Sequence, residues 1–391
     1  MPNGTTSRLR ALIGARARRS GRGPDLESAE GPPRSDDALA QVDAVMRRVP
    51  ESDMGDPQEF RRALATFMQR AEHTLHKLNA NPDTPLDRDD ALALEAVIRT
   101  DGTRPSLLVR DGAVDPDHPL AGDWRETLAA TRDTLRERIE AVGRVEPPNA
   151  TANNFFGTGW LVDAAKGLVL TNLHVLEFMW RRLPNAMIRT EAGFRVLPGA
   201  ASIDFVAESG SMAVNRFPVV EATPSGIDGT GFARLDVAVL KIGDGEPESR
   251  LPAAIPVVAD LDAARGGSAS FCTVGYPGRP PFMAGVHEGV DWVWVNTTLF
   301  GGRYGVKRLA PGVVHRPLGA FPDDPQIWIF GHDATTLGGS SGSPVLSWQN
   351  NVRGSFGIHF AGASVDTNCA HAIAECRDTL EKLGVPVKDP D

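Results

Sequence analysis

The chain has 391 residues, enough for two or three domains that each bury a core of their own. Its 41 Lys and Arg against 50 Asp and Glu give a net charge of −9, which argues against nucleic acid as the partner of the whole chain. Without a run of about 18 apolar residues no membrane-spanning helix is expected, and 3 cysteines cannot build a disulfide framework.

Residues 1–52 read as a disordered tail, Arg-rich and then acidic. Six Arg precede the first acid, Asp25, and no apolar segment or small-residue cleavage site follows that would make this a signal peptide. Residues 53–145 read as a helix-rich regulatory or adaptor module. Asp56, Pro57 and Glu59 form a helix-start pattern, and Phe60, Leu64, Phe67, Met68, Ala71, Leu75 and Leu78 then line one face. Further helices are expected over Asp89–Ile98 and Asp123–Val142, and a short hairpin over Ser106–Val114 turning at Asp111-Gly112. His73 and His76 lie one turn apart, but no HExxH motif or third ligand accompanies them, so no metal site is expected. No Walker loop or dinucleotide fingerprint is present, and no cofactor is expected.

The composition changes at Val145–Asn154 (VEPPNATANN), which reads as a linker, so residues 146–391 form the third region. Beyond it come short apolar runs punctuated by Gly, Pro and Asp: Phe155–Val162, Leu168–Asn172, Val237–Ile242, Ala269–Val274, Trp292–Thr297, Ile327–Phe330, Pro344–Leu346 and Ser355–Phe360. Many short strands at modest spacing point to an all-β barrel or sandwich. A final helix puts Ile373, Cys376, Leu380 and Leu383 on one face and stops at Gly384. Cys272, Cys369 and Cys376 are expected to be free thiols in a reducing cytoplasm, the alternative being a Cys369–Cys376 pair.

Three motifs carry chemistry, in order: FGTGWLVDAAKGLVLTNLHV ending at His174, RLDVAVLKI containing Asp236, and TTLGGSSGSPV containing Ser341. A serine hydroxyl is a poor nucleophile at neutral pH and needs a base within hydrogen-bond reach. Histidine titrates in the right range, and a buried carboxylate fixes its tautomer. Gly339 and Gly342 let the backbone turn tightly around Ser341, so the Gly339 and Ser341 amides can form an oxyanion hole. Taken singly, each motif has a bland reading: a turn, a strand-edge acid, a satisfied histidine, a Gly/Ser linker. As an ordered set they indicate a catalytic triad of His174, Asp236 and Ser341.

From about Phe155 to Ile373 the chain resembles the trypsin-like (chymotrypsin-fold) serine peptidases, especially their bacterial glutamyl-endopeptidase and HtrA-like branches. TNLHV, DVAVLKI and GGSSGSPV stand where that family carries its His, Asp and Ser motifs. The resemblance implies a mainly β fold of two six-stranded antiparallel β-barrels with a C-terminal helix. It implies a serine endopeptidase acting on protein or peptide substrates through an acyl-enzyme. Thr335 and Thr336 would line the primary specificity pocket, and Phe360, Ala361 and Gly362 would form the strand edge that pairs with substrate backbone. Thr336, five residues before Ser341, and His359, in Gly357-Ile358-His359, match residues that hold a substrate glutamate in the glutamyl branch. Ser340 departs from the usual Asp or Asn, which argues against activation by a salt bridge to a new N-terminus. Rivals are a binding protein of the same fold that no longer cuts, and a triad esterase. The upstream module is expected to regulate the enzyme or to recruit a protein partner.

Overall fold

The computed structural model describes residues 104–227, 231–267, 269–279, 286–287, 290–291, 295–364 and 367–390. The tail, the helices expected over residues 56–98, and His73 and His76 lie outside them. The chain divides into two compact units, Met1–Pro105 with Asp117–Trp124 and Pro281–Arg303, and Ser106–Pro116 with Arg125–Pro280 and Tyr304–Asp391.

Two closed barrels make up the second unit. Before them runs β1 (Leu107–Leu108). The first barrel uses β2 (Val142–Glu146), β3 (Gly157–Asp163), β4 (Leu168–Thr171), β7 (Ser202–Asp204), β8 (Arg216–Pro224) and β9 (Ala238–Ile242). They pair in the order β8-β7-β2-β3-β4-β9, and β8 pairs with β9 to close the ring; the hairpin β5 (Met187–Arg189) and β6 (Phe194–Val196) extends from β8. The second barrel uses β11 (Ser270–Gly275), β14 (Arg308–Arg316), β15 (Ile329–His332), β16 (Pro344–Ser347), β17 (Ser355–Ser364) and β18 (Thr367–Ala372). Their order is β16-β11-β14-β15-β18-β17, closed by β16 against β17. Outside this ring, β10 (Val257–Val258) runs parallel to both β17 and β19 (Val387–Lys388). Closure pairs the strands around each ring and covers most of their edges, which is how short strands of this kind limit pairing with other chains.

Each barrel is filled from its own strands. Val145, Trp160, Ile203 and Leu240 are fully buried in the first. Phe271, Phe330 and Phe356 pack inside the second, with Phe330 stacked on Phe356 at 5.4 Å. Side chains of this size stabilise the fold by about 1.5–3 kcal/mol each when removed from water. All three cysteines are buried and free.

The boundary read from composition at residue 146 is corrected. β2 is a barrel strand: its Val142 pairs with Trp160 and its Glu146 with Ser202. β1 pairs with β14, and Arg308 Nη1 donates to the Ser106 carbonyl at 2.6 Å. The Pro-rich stretch after β2 is therefore a loop inside the barrel. The helix expected over Asp123–Val142 forms instead as α1 (Arg125–Ala130) and α2 (Arg132–Glu140). They break at Thr131, whose hydroxyl donates to Thr127 O at 2.8 Å, and Val142 already belongs to β2. The Asp111-Gly112 turn is present with both residues at positive φ (51° and 71°), but the strand before it joins β14. Helix α3 (Leu173–Arg182) follows β4 directly, and α4 (Leu261–Arg265) packs Ala263 and Ala264 into the second barrel's core. The closing helix α5 (Ile373–Lys382) buries Ile373, Cys376 and Leu380, and Gly384 follows at φ +83°.

In the first unit a short hairpin joins β12 (Val286–His287) to β13 (Val290–Asp291). The strand expected over Trp292–Thr297 is not found at its described end. Val295–Leu299 coils, with Phe300 N–H reaching Val295 O at 3.1 Å, and Gly301 and Gly302 at positive φ turn the chain away.

Candidate active site

The three motif residues lie in the unit that holds both barrels. β4 ends at Thr171, Asn172 caps α3, and His174 is in the first turn of that helix. Asn172 Nδ2 donates to Asp236 O at 2.8 Å, tying the start of α3 to the segment before β9. His174 N–H donates to Asp236 Oδ1 at 2.8 Å, and His174 Nδ1 lies 2.5 Å from Asp236 Oδ2. One carboxylate thus holds both backbone and ring of the histidine and places the ring proton on Nδ1. Burial pushes the Asp236 carboxyl up, but the hydrogen bonds and charge of His174 and the charge of His371 outweigh it and hold it below its usual range. An ion pair between Glu177 of α3 and Arg234 spans the same two segments.

Ser341 comes from the second barrel, in the turn before β16. Its hydroxyl donates to Phe360 O at 3.4 Å, and among the described residues it makes no bond to His174. A base in a resting site is often out of bonding reach of its nucleophile until substrate is bound. Gly157 brings the two sides together: a Cβ there would lie 2.7 Å from Val175, next to His174, and 3.3 Å from Ser341 O.

The amides of Gly339 and Ser341 donate to no acceptor among the described residues. Both peptides are held through their carbonyls. Gly338 O accepts from Gly278 N–H at 2.6 Å; Ser340 O accepts from Ser343 N–H at 3.0 Å and Ser343 Oγ at 2.6 Å. Gly339 and Gly342 have φ of +94° and +93°, and a Cβ on either would meet backbone oxygen within 2.6 Å and 2.0 Å, so side chains are excluded at both. Thr158 of β3 fastens this turn from the other barrel. Its hydroxyl donates to Gly339 O at 2.8 Å and accepts Tyr276 N–H at 3.1 Å, while its N–H donates to Ser341 O at 3.0 Å.

β17 pairs with β16 only as far as Ile358, and Phe360 bulges out of its ladder with β18. On the β16 side Phe360, Ala361 and Gly362 have no strand partner among the described residues. Thr335 and Thr336 are half-buried in the segment after β15. Thr336 Oγ1 donates to Asn368 Oδ1 at 2.9 Å, and Asn368 Nδ2 donates to Ala334 O at 2.7 Å. His359 is buried, with its Nδ1 3.1 Å from His332 Nε2. Burial first, then the charge of His174, brings its pKa down to about 3, so the ring is neutral. Asn368 and His332 face each other in the β15–β18 register, so Thr336 and His359 attach to the same part of the barrel wall.

Sequence reasoning missed Thr158, Asn368, His332 and His371 at this site. Thr158 stands in a motif read for its glycines, His332 falls just past the apolar run Ile327–Phe330, and Asn368 and His371 lie on a strand with no apolar alternation to mark it. No cluster of three metal-binding side chains occurs among the described residues.

Residues 157–354 match the family model described as a trypsin-like peptidase domain. A probable serine protease of Lysobacter enzymogenes is 40% identical over 332 residues, 84% of each chain. Among solved structures, a Glu endopeptidase matches at 20% identity and TM-score 0.40 over 62% of this chain and 90% of its own. Neuropsin, a serine protease of mouse brain, matches at 10% identity and TM-score 0.41 over 63% and 95%. By the domain match and the Lysobacter relative, the chain belongs to the trypsin-like peptidases and is a serine protease.

Proposed function

We propose that the protein is an endopeptidase that cuts by a His174–Asp236–Ser341 triad through an acyl-enzyme. The observation that carries this is the paired grip of Asp236 on the His174 ring and backbone, with Ser341 following in a turn whose two amides are unoccupied. Asp236 keeps the His174 proton on Nδ1, leaving Nε2 to take the Ser341 proton as Oγ attacks the substrate carbonyl. The developing oxyanion is met by the Gly339 and Ser341 amides, each worth about 3–4 kcal/mol where such donors have been removed. His174 then returns the proton to the leaving amine, and a water molecule releases the acyl group by the same route in reverse.

The pocket beside Thr336 and His359 favours a P1 side chain that ends in a hydrogen-bond acceptor. His332 Nδ1 is buried without a partner among the described residues, and a bare nitrogen is less costly to leave there than an N–H. His332 therefore donates from Nε2 to His359 Nδ1 and the His359 proton sits on Nε2, with the Cys369 backbone as a further partner of the ring. That donor suits glutamate or glutamine. The Thr336 proton is already committed to Asn368, so the glutamate reading loses one of its two donors and glutamine gains an acceptor.

A fluorophosphonate probe is expected to label the wild type and not Ser341→Ala, and peptides identical except at P1 are expected to be cut best after Glu or Gln. Labelling of Ser341→Ala would remove the nucleophile; best cleavage after Leu, Val or Ala would remove the pocket assignment. The buried free thiols support residence in a reducing compartment. Regulation by residues upstream of the barrels stays part of the proposal, supported by the absence of any catalytic motif there.

A further inference from the structure

We infer that His371 is a positioning residue that sets the first barrel's acid against the second barrel's nucleophile; this rests on the triad reading above. His371 lies on β18 and is buried. Its Nε2 accepts the Asp236 N–H at 3.1 Å, a hydrogen bond from one barrel to the other at the triad itself. Its ring stacks on Phe360 at 4.2 Å with an interplanar angle of 13°, and Phe360 O is the acceptor of the Ser341 hydroxyl. One imidazole thus touches the residue that carries the acid and the residue that holds the nucleophile.

The surroundings extend the same tie. Trp328 packs edge-on against His371 at 5.8 Å, and its Nε1 donates to Phe232 O at 2.9 Å, four residues before Asp236. The Phe232 ring meets Phe360 edge-on at 6.3 Å. The segment from Phe232 to Asp236 is therefore fastened to the wall of the second barrel by two polar contacts, Trp328 at Phe232 and His371 at Asp236.

The hydrogen bonding indicates which need governs the ring. Nε2 accepts an amide proton and so carries none. Burial, opposed by the charge of Asp236, brings the His371 pKa down to about 4, so the ring is neutral and its proton sits on Nδ1. That Nδ1 is buried with no partner among the described residues. A buried donor without an acceptor is destabilising, and a phenyl ring would fill the same space without that cost. What phenylalanine lacks is the acceptor for Asp236.

The test compares His371→Phe, which keeps the stacking and removes the acceptor, with His371→Gln, whose amide oxygen reaches the Nε2 position. His371→Phe is expected to lower kcat about 10- to 100-fold with KM within about threefold, as for a loss felt only in the transition state. The acid limb of kcat/KM is expected to move to lower pH, because a displaced Asp236 stabilises the His174 imidazolium less. His359, which couples to His174, and the Glu177–Arg234 pair on the same two segments are altered by neither substitution. His371→Gln is expected to recover most of kcat and the wild-type limb. Unchanged kcat and limb in His371→Phe would overturn the inference, as would equal losses in both variants. The same comparison between Gln and Met at this position answers the question if Phe does not fold. Asp236→Asn run alongside separates the two readings: if it leaves kcat intact the triad itself fails, and if it alone lowers kcat only the role of His371 fails.

Discussion

The two barrels share a closed six-strand ring but hold very different contents at the cleft. The first brings His174 in the first turn of α3 and Asp236 just before β9, joined to each other by short, direct hydrogen bonds. The second brings Ser341, two unoccupied amides and an open strand edge, all on turns whose carbonyls are pinned from behind. One half is thus assembled by side chains and the other by backbone. The difference teaches where each half is vulnerable. Single substitutions can erase the first, whereas the second depends on glycines and on neighbours such as Thr158 that reach across from the other barrel.

The largest effects should come from the side chains. Ser341→Ala and His174→Ala are each expected to lower kcat by roughly five orders of magnitude, and Asp236→Asn by roughly four, with circular dichroism unchanged. If either alanine variant kept peptide turnover within tenfold of wild type, the division of labour between the barrels would be wrong.

A smaller effect tests the backbone half. Thr158→Val keeps shape but removes the hydroxyl that holds Gly339 O and Tyr276 N–H. It is expected to lower kcat by about tenfold to a hundredfold with little change in KM, because in the proposed mechanism the Gly339 turn positions the oxyanion donors. Thr158→Ser should recover most of it. A Thr158→Val protein with unchanged kcat and weaker KM would mean that the turn serves binding alone.

Acid should distinguish the barrels more gently. His332, His359 and His371 are all buried in the second, and burial holds each below its usual value, His359 at about 3 and His371 at about 4. The unfolded chain, with histidines near pH 6.5, then binds protons that the native state refuses. Stability from these groups is fully present above about pH 6.5 and is lost as pH falls toward 3. The thermal midpoint should fall over that range, and His332→Leu should fall less than wild type between pH 7 and pH 5. Parallel curves for the two would show that His332 contributes nothing to acid lability.

Much of this was legible in the sequence, for a physical reason. His174, Asp236 and Ser341 each sit in a short segment whose turn or strand is set locally, so three brief motifs mark them as candidates. β3, β4, β9 and β16 announce themselves as apolar runs. β8 and β14 do not: Pro218 and Pro224 interrupt one, Pro311 and Gly312 the other, and only their partners in the ring make them strands. β18, Thr-Asn-Cys-Ala-His-Ala, reads as nothing in particular, yet it supplies Asn368 and His371. The N-terminal boundary was misplaced because two prolines inside a barrel loop look like a linker. Side chains that act across the barrels leave no local signal at all.

Lys307 draws out a last consequence. Its ammonium group is fully buried and donates to Ile139 O at 2.9 Å and Phe205 O at 2.7 Å, both on the first-barrel side, while Lys307 itself leads into β14 of the second. Tyr276, leaving β11, does the same through its hydroxyl to Val142 O and Val206 O. Sliding the barrels apart would strand a cation and several carbonyls in a place that water has not yet entered. Neither barrel can then melt ahead of the other at low cost, so the pair behaves as one thermodynamic object. Heating should give a single calorimetric peak whose van't Hoff and calorimetric enthalpies agree, and severing the chain between the barrels should leave two halves that fold only when mixed.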